Sequence, residues 1–253
     1  MKTLTREEIL SEITAKLEPL EFVNAMWEAG AKAFNRVDEW SDIDLQIDVK
    51  DGFEEQTFNI FEETLKSLSP IELRFVLPKP TWHGHEQAFY KLKNASEFLL
   101  IDFVLMTESN KSKFLESEIH GKPNFLFDKN NTSNCSNFDA SSQKELIRKR
   151  IENLKVTFPL YQALTTKELH RKNYIEAFSY YQGMTLRPLV EVLRMKFEPN
   201  RYNFHTRYVY YEFPKEVVSR LEEFFFVTKG EELWQKHSEA GKWFYETLNE
   251  LKN

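Results

Sequence analysis

GAKAFNRVDEWSDIDLQIDV, residues 30–49, is the stretch on which the reading of this chain turns. A glycine turn leads through a polar loop into a strand that alternates acidic or polar residues with aliphatic ones. Successive side chains on a strand point to opposite faces. Asp42, Asp44, Gln46 and Asp48 therefore share one face, and Ile43, Leu45, Ile47 and Val49 share the face that enters a core. Two carboxylates this close repel each other unless a cation lies between them. Hard divalent ions such as Mg2+ prefer oxygen ligands, so a metal is the simplest resolution. Asp-x-Asp alone is a common pattern. The glycine upstream and a third carboxylate downstream make this one more specific.

The third carboxylate is Asp102. It interrupts FLLIDFVLM (98–106), a run otherwise apolar on both faces, as expected of a central strand. A carboxylate in such a strand needs a partner or a metal. A core Arg or Lys is one answer; the two carboxylates already at hand favour the metal.

Working outward, residues 4–17 carry Ile9, Leu10, Ile13 and Leu17 on one helical face. Phe22 to Trp27 reads as a strand ending at Gly30, where the turn needs backbone freedom or room for a ligand. Asp51-Gly52 is a break, and Phe53 to Leu68 is a helix with Phe58, Phe61, Leu65 and Leu68 at helical spacing. Ile71 to Leu77 is a strand, and Gln87 to Leu92 and Glu97 to Met106 form a strand pair joined near Asn94.

Residues 107–140 lose periodicity and are rich in Asn and Ser, which predicts an irregular connecting segment and a domain boundary. Ser142-x-x-Glu145 has the form of a capping box, followed by Ile147, Ile151, Leu154 and Phe158 on one face. Thr165-x-x-Glu168 repeats the capping signal and opens a second helix toward Tyr181, with Gly183 as its stop. Leu186–Phe197, Pro214–Phe226 and Glu231–Leu251 complete a bundle. Met26, Trp27, Trp234 and Trp243 read as core anchors.

Composition excludes several classes of function. With 41% hydrophobic and 29% charged residues the chain is globular in type, and its 22 Phe against 7 Gly favour packed elements over flexible linkers. A net charge of -6 argues against a nucleic-acid footprint, which needs clustered Lys and Arg. One cysteine, Cys135, cannot form an internal disulfide, the opening MKTLTREEIL has no apolar signal core, and no apolar window is long enough to span a membrane. A cytoplasmic setting without membrane contact is expected. Oligomeric state is not readable.

The run from Gly30 resembles the signature of the nucleotidyltransferase superfamily with the polymerase-β-like fold: Gly-Ser, a loop, Ser-Asp-x-Asp-Leu, then a lone carboxylate on a hydrophobic strand. Gly30 takes the glycine position, Lys32 the position two after it, Ser41-Asp42-Ile43-Asp44-Leu45 the acidic strand and Asp102 the third carboxylate. Members that modify small molecules, of the aminoglycoside and lincosamide type, also carry a helical second domain. The resemblance implies an α+β fold: a nucleotidyltransferase mixed sheet with flanking helices over residues 1–106, the connecting segment 107–140, and a C-terminal helical bundle over 141–253 that binds substrate. It implies a Mg2+-dependent enzyme that binds a nucleoside triphosphate, ATP above all, and transfers its monophosphate to a hydroxyl of a small-molecule acceptor. Asp42, Asp44 and Asp102 are then the catalytic residues and metal ligands, and Gly30, Ala31, Lys32 and Ser41 the nucleotide-binding residues. Glu145, Glu168, Glu176 and Glu191 are candidates for a base from the second domain.

Ala31 departs from the family pattern, which has serine there. A lost hydrogen bond to a charged group costs about 1.5–3 kcal/mol. That weakens nucleotide binding or transfer without abolishing it, and backbone N–H groups and Lys32 offset part of the loss. The alternative is a degenerate nucleotide-binding protein that acts through protein contacts.

Two further stretches have a plain reading and a functional one. His83-Gly84-His85 lacks further zinc ligands nearby and reads as a loop packed by Trp82, the alternative being a border of the substrate cleft. Arg187, Glu191 and Arg194 share a helix face as surface ion pairs. In RYNFHTRYVYYEF (201–213) the aromatic residues read as bundle packing, and Arg201 and Arg207 are open.

Overall fold

The computed structural model describes residues 3–136 and 138–251. The chain divides into two compact units between Phe138 and Asp139.

The first unit is α+β. Helix α1 (Arg6–Leu17) is opened by a capping box: Thr5 accepts from the Glu8 N–H at 3.2 Å while Glu8 accepts from the Thr5 N–H at 3.0 Å. Strand β1 (Val23–Glu28), the short helix α2 (Gly30–Ala33), strand β2 (Ile43–Val49), helix α3 (Glu54–Leu68) and strands β3 (Ile71–Val76), β4 (Glu86–Leu92) and β5 (Leu100–Thr107) follow. Helix α4 (Ser117–His120) and strand β6 (Asn124–Asp128) close the unit. The six strands form one mixed sheet in the order β3-β4-β5-β2-β1-β6, in which β2 and β5 are parallel and the other neighbours antiparallel.

The period-two pattern of β2 sorts its residues as expected. Ile43, Leu45, Ile47 and Val49 are fully buried in the main core with Ile9, Ile13 and Leu17 of α1 and Phe58, Phe61 and Leu65 of α3. Phe61 stacks on Phe103 with ring centroids 4.0 Å apart. The opposite face carries Asp44, Gln46 and Asp48 and has a smaller apolar cover from Ala25, Trp27, Val104, Met106 and Leu115. One face of the sheet is thus committed to stability, and the other keeps polar groups in the middle of the sheet.

The segment 107–140, expected to be irregular, contains β6, which pairs antiparallel with β1 at the sheet edge. Its Lys113 is buried against Asp48, donating to that carboxylate and to the Thr107 carbonyl. Asp48 also accepts from Asn24 at 3.2 Å. The strand was missed because NFLFD is short and does not alternate cleanly; its pairing comes from a partner nearly a hundred residues earlier.

The second unit is helical. Helix α5 (Ala140–His170) is followed by α6 (Tyr174–Tyr180), a π-helical turn (Tyr181–Leu186), α7 (Arg187–Phe197), a short α8 (Val209–Glu212), α9 (Lys215–Phe225) and α10 (Glu232–Glu250). Leu154, Phe158, Tyr181, Leu189, Leu193 and Phe244 build its core, where Phe158 and Phe244 stack with centroids 3.6 Å apart.

Four helix signals resolve differently from their local reading. The cap of α5 is Asp139, which accepts from the Ser141 and Ser142 N–H groups at 2.8 and 3.2 Å, so Ser142 is already helical. Thr165 is fully buried inside α5, and the second helix starts at Tyr174. Gly183 does not stop that helix but lies within the π turn, which continues into α7. Trp234 is 39% exposed and anchors little, whereas Trp243 and Leu248 are buried. A capping, stop or anchor pattern is only a weak local preference, and the surrounding contacts decide which one is used.

Among the described residues, no helix is long and apolar enough to cross a membrane.

Candidate functional site

The sheet register brings the sequence-predicted residues of β2 and β5 together. Asp44 pairs directly with Asp102 across the parallel strands, so their side chains lie side by side on the polar face. The same row continues through Phe89 on β4 to Phe75 on β3. Asp42 stands one residue ahead of β2, in phase with Asp44.

Gly30 sits against this pair. Its φ is +48°, in the left-handed region, and a Cβ built there would overlap the Asp44 carboxylate. The glycine is needed both for its backbone conformation and for this close approach. Ala29 N–H donates to the Asp44 carbonyl at 2.9 Å, tying the turn to the strand. Behind α2, Lys122 N–H donates to the Ala33 carbonyl at 2.9 Å, and Gly121 lies so close that a Cβ would come 2.8 Å from the same oxygen. The segment beyond residue 107 therefore buttresses the glycine turn.

A buried ion pair fixes the entry to the acidic strand. Glu28, at the end of β1, is 3% exposed and accepts from Arg6 Nε and Nη2 at 3.1 and 2.6 Å and from Asn124 at 2.9 Å. Arg6 also donates to the Asp42 carbonyl. Ser41 closes a local turn, its hydroxyl donating to Asp38 at 2.7 Å and accepting from the Asp38 N–H at 2.9 Å. Lys32 is half-buried in α2.

Asp102 is half-buried and accepts from Gln87 Nε2 at 2.7 Å. Gln87 Oε1 is 3.0 Å from His83 Nε2, and His83 Nδ1 accepts from the His85 N–H at 3.1 Å. His85 is buried, and burial first, with the Lys113 charge adding to it, pushes it down to about 4. Trp82 is 89% exposed and meets the loop only edge-on at His83, with ring centroids 5.0 Å apart; Phe114 packs edge-on to both imidazoles.

Among the described residues, no group of three or more His, Cys, Asp or Glu side chains is arranged so that it could hold a metal ion. The site as it stands is a pair of carboxylates in register, with Asp42 at its mouth.

In the helical unit the candidate bases are engaged. Glu145 chelates Arg148 at 2.7 and 2.8 Å, which holds its carboxyl down to about 2. Glu168 is held low by Asn173 and Arg171. Glu176 accepts from the Tyr180 hydroxyl at 3.1 Å. Glu191 pairs with Arg150 at 2.6 and 2.8 Å beside a cavity of about 460 Å3 that Tyr161, Gly183, Met184 and Arg187 also line.

Arg187, Glu191 and Arg194 do not pair with one another as surface charges. Arg194 is fully buried and donates to Glu212 at 2.8 Å and to the carbonyls of His205 and Arg207. Arg201 pairs with Glu198 and Glu212, and Arg207 lies over the rings of Phe204 and Tyr208. The aromatic-basic stretch winds around a buried guanidinium and ends in the short helix α8. Phe213 packs the bundle, whereas Tyr211 is 64% exposed.

Sequence reasoning missed Gln87, Arg6, Glu28 and Lys113. A polar residue opposite Ala88 and Tyr90 in the alternation of β4 signals Gln87; the other three contacts close over long separations and leave no local trace.

No family model and no curated protein sequence matches the chain. Among solved structures it is similar to an aminoglycoside 6-adenyltransferase from Bacillus subtilis, at 12% identity and a TM-score of 0.37 over 98% of this chain and 90% of that one. It is similar to a nucleotidyltransferase-like protein from Exiguobacterium sibiricum, at 14% identity and a TM-score of 0.41 over 97% and 75%. It is also similar to a spectinomycin adenyltransferase from Enterococcus faecialis, solved with ATP and spectinomycin, at 10% identity and a TM-score of 0.39 over 98% and 100%.

Proposed function

We propose that the chain is a nucleotidyltransferase that moves a nucleoside monophosphate, AMP from ATP, to a hydroxyl of a small-molecule acceptor and releases pyrophosphate with the help of Mg2+. The observation that carries this reading is the register pairing of Asp44 with Asp102 beside a glycine turn that leaves no room for a side chain. Mg2+ is usually held by one or two carboxylates together with waters and substrate phosphates, not by an all-protein cage, so this all-oxygen donor set fits it. Asp42, Asp44 and Asp102 are the residues that would hold it. Bound there, the ion supplies charge neutralisation for the transferring phosphoryl group.

The remaining work falls to the chain's own groups. Lys32 and the backbone N–H groups from Gly30 to Lys32 meet the triphosphate oxygens. Ser41 shapes the loop ahead of the acidic strand. Arg6, itself held by Glu28, fixes the backbone at Asp42, at the entry to the acidic strand. Asp102, kept an acceptor by the Gln87 amide, takes the proton of the attacking hydroxyl. The reducing cytoplasm is the setting that suits the lone, exposed Cys135.

The test is incubation of the full chain with each nucleoside triphosphate, Mg2+ and a panel of hydroxylated small molecules, following pyrophosphate and the mass of the acceptor. Transfer is expected with ATP and is lost in Asp42→Asn and Asp44→Asn while the fold is kept. Undiminished turnover in both variants defeats the assignment. Ala31 in the usual serine position favours one other reading, a nucleotide-binding protein without catalysis. Mg2+-dependent ATP binding with no pyrophosphate released across the whole panel is its signature.

A further inference from the structure

Resting on the reading of Asp102 as a metal ligand, we infer that Gln87 and His83 are positioning residues that set the rotation of the Asp102 carboxylate. The direction of the hydrogen bonds follows from one fixed donor. The His85 backbone N–H can only donate, so His83 Nδ1, 3.1 Å away, is an acceptor and carries no proton. The hydrogen of the neutral ring is then on Nε2, which donates to Gln87 Oε1 at 3.0 Å. That turns the Gln87 amide so that its NH2 faces Asp102, where Nε2 donates to Oδ1 at 2.7 Å. Both ends agree, since a carboxylate can only accept. Three groups thus donate in one direction, from backbone to His83 to Gln87 and on to Asp102, and bonds aligned this way strengthen one another.

The chain of donors begins in a rigid place. The Thr81 hydroxyl donates to the His85 carbonyl at 2.5 Å and Gly84 N–H to the Thr81 carbonyl at 3.2 Å, which closes the loop on itself. Phe114 packs edge-on to both imidazoles, with centroids 6.1 Å from His83 and 5.2 Å from His85. Asn110 Nδ2 lies 3.3 Å from His85 Nδ1 while its Oδ1 accepts from the Ser112 N–H at 3.0 Å. A carboxylate on a strand has a broad, soft torsion at its end. Gln87 holds one of its oxygens and removes that softness, so Asp102 meets the ion in one orientation. Groups that orient a metal ligand from behind typically matter 10- to 100-fold in metal affinity or activity.

The test uses the full chain and two independent readouts. The first needs no metal: two-bond 1H–15N NMR of the imidazoles is expected to show His83 protonated on Nε2, and Gln87→Met is expected to shift that tautomer. Finding His83 protonated on Nδ1 overturns the inference. The second is titration with Mn2+ followed by water proton relaxation. Gln87→Met, which keeps the side chain's length, is expected to weaken Mn2+ binding about 10- to 100-fold. His83→Ala, one step further from the ligand, weakens it less and with an unchanged thermal midpoint. Wild-type Mn2+ affinity in both variants overturns the inference. If Gln87→Met fails to fold, His83→Ala and the wild-type tautomer decide. Should the unaltered protein bind no Mn2+, the metal reading of Asp102 falls and this inference falls with it; the tautomer then reports only a hydrogen-bonded loop.

Discussion

Three single residues near the acidic strand have consequences out of proportion to their size. Gly30 is needed for its left-handed φ of +48° and because a Cβ there would overlap Asp44. Gly30→Ala is therefore expected to lower the thermal midpoint and to abolish transfer, checked by melting and by pyrophosphate release. Ala31 acts in the opposite sense. Restoring a hydroxyl with Ala31→Ser adds a hydrogen bond to a charged group worth about 1.5–3 kcal/mol. Calorimetry should then show ATP binding roughly 10- to 100-fold tighter; an unchanged affinity removes the phosphates from this turn. His85 gives the protein an acid limit. Its ordinary value of 6.5 falls to about 4 in the folded chain because burial penalises the cation. The unfolded chain therefore binds the proton more readily, so the contribution of His85 is complete above about 6.5 and is lost as the pH falls toward about 4. The unfolding midpoint of the wild type should drop across this window, and that of His85→Asn should drop less.

At the scale of elements, buried charge organises two stretches that periodicity left undefined, 201–213 and the segment leading into β6. The 201–213 loop is held by Arg194, whose guanidinium is wholly buried and satisfied by Glu212 and backbone carbonyls. Removing one partner of such a pair strands the other and costs about 3–5 kcal/mol. Glu212→Gln should lower urea stability by about that much, whereas the double change Arg194→Met with Glu212→Leu should recover a good part of it. A Glu212→Gln protein as stable as the wild type contradicts the account. The same logic governs β6 and the segment before it, where Lys113 answers Asp48. Asp48 is thereby neutralised as a structural acid, although its place in the alternation is the same as that of Asp44. The π turn between α6 and α7 is similarly specified from elsewhere: Gln162 of α5 donates to the Met184 carbonyl at 2.8 Å and accepts from the Thr185 hydroxyl at 2.7 Å.

On the scale of the whole molecule, two separate cores divide the chain between Phe138 and Asp139. The first is a sheet covered by α1 and α3, the second a set of helices around Phe158 and Phe244. Each has its own buried apolar cluster, so each should fold when produced alone. Residues 1–138 and 139–253, expressed separately, are expected to give cooperative thermal transitions; a fragment without one shows that its core is incomplete. The boundary lies well beyond residue 106 because β6 and the segment around Gly121 complete the sheet and brace the glycine turn.

By itself the sequence determined the alternation of β2, its buried aliphatic face, the central place of the strand around Asp102 and the amphipathic helices α1, α3, α9 and α10. All of these rest on periodicity, which is a local property. It also determined that Asp42 and Asp44 share a face, and the register then placed Asp102 beside Asp44. Only the tertiary structure decided which acids are neutralised, which helix signals are used and what stands behind Asp102. Lys113 reaches Asp48 and Arg6 reaches Asp42 from dozens of residues away, and Thr165 is wholly buried within α5 instead of capping a new helix. A charge finds its partner through space, and spacing along the chain carries no record of that distance.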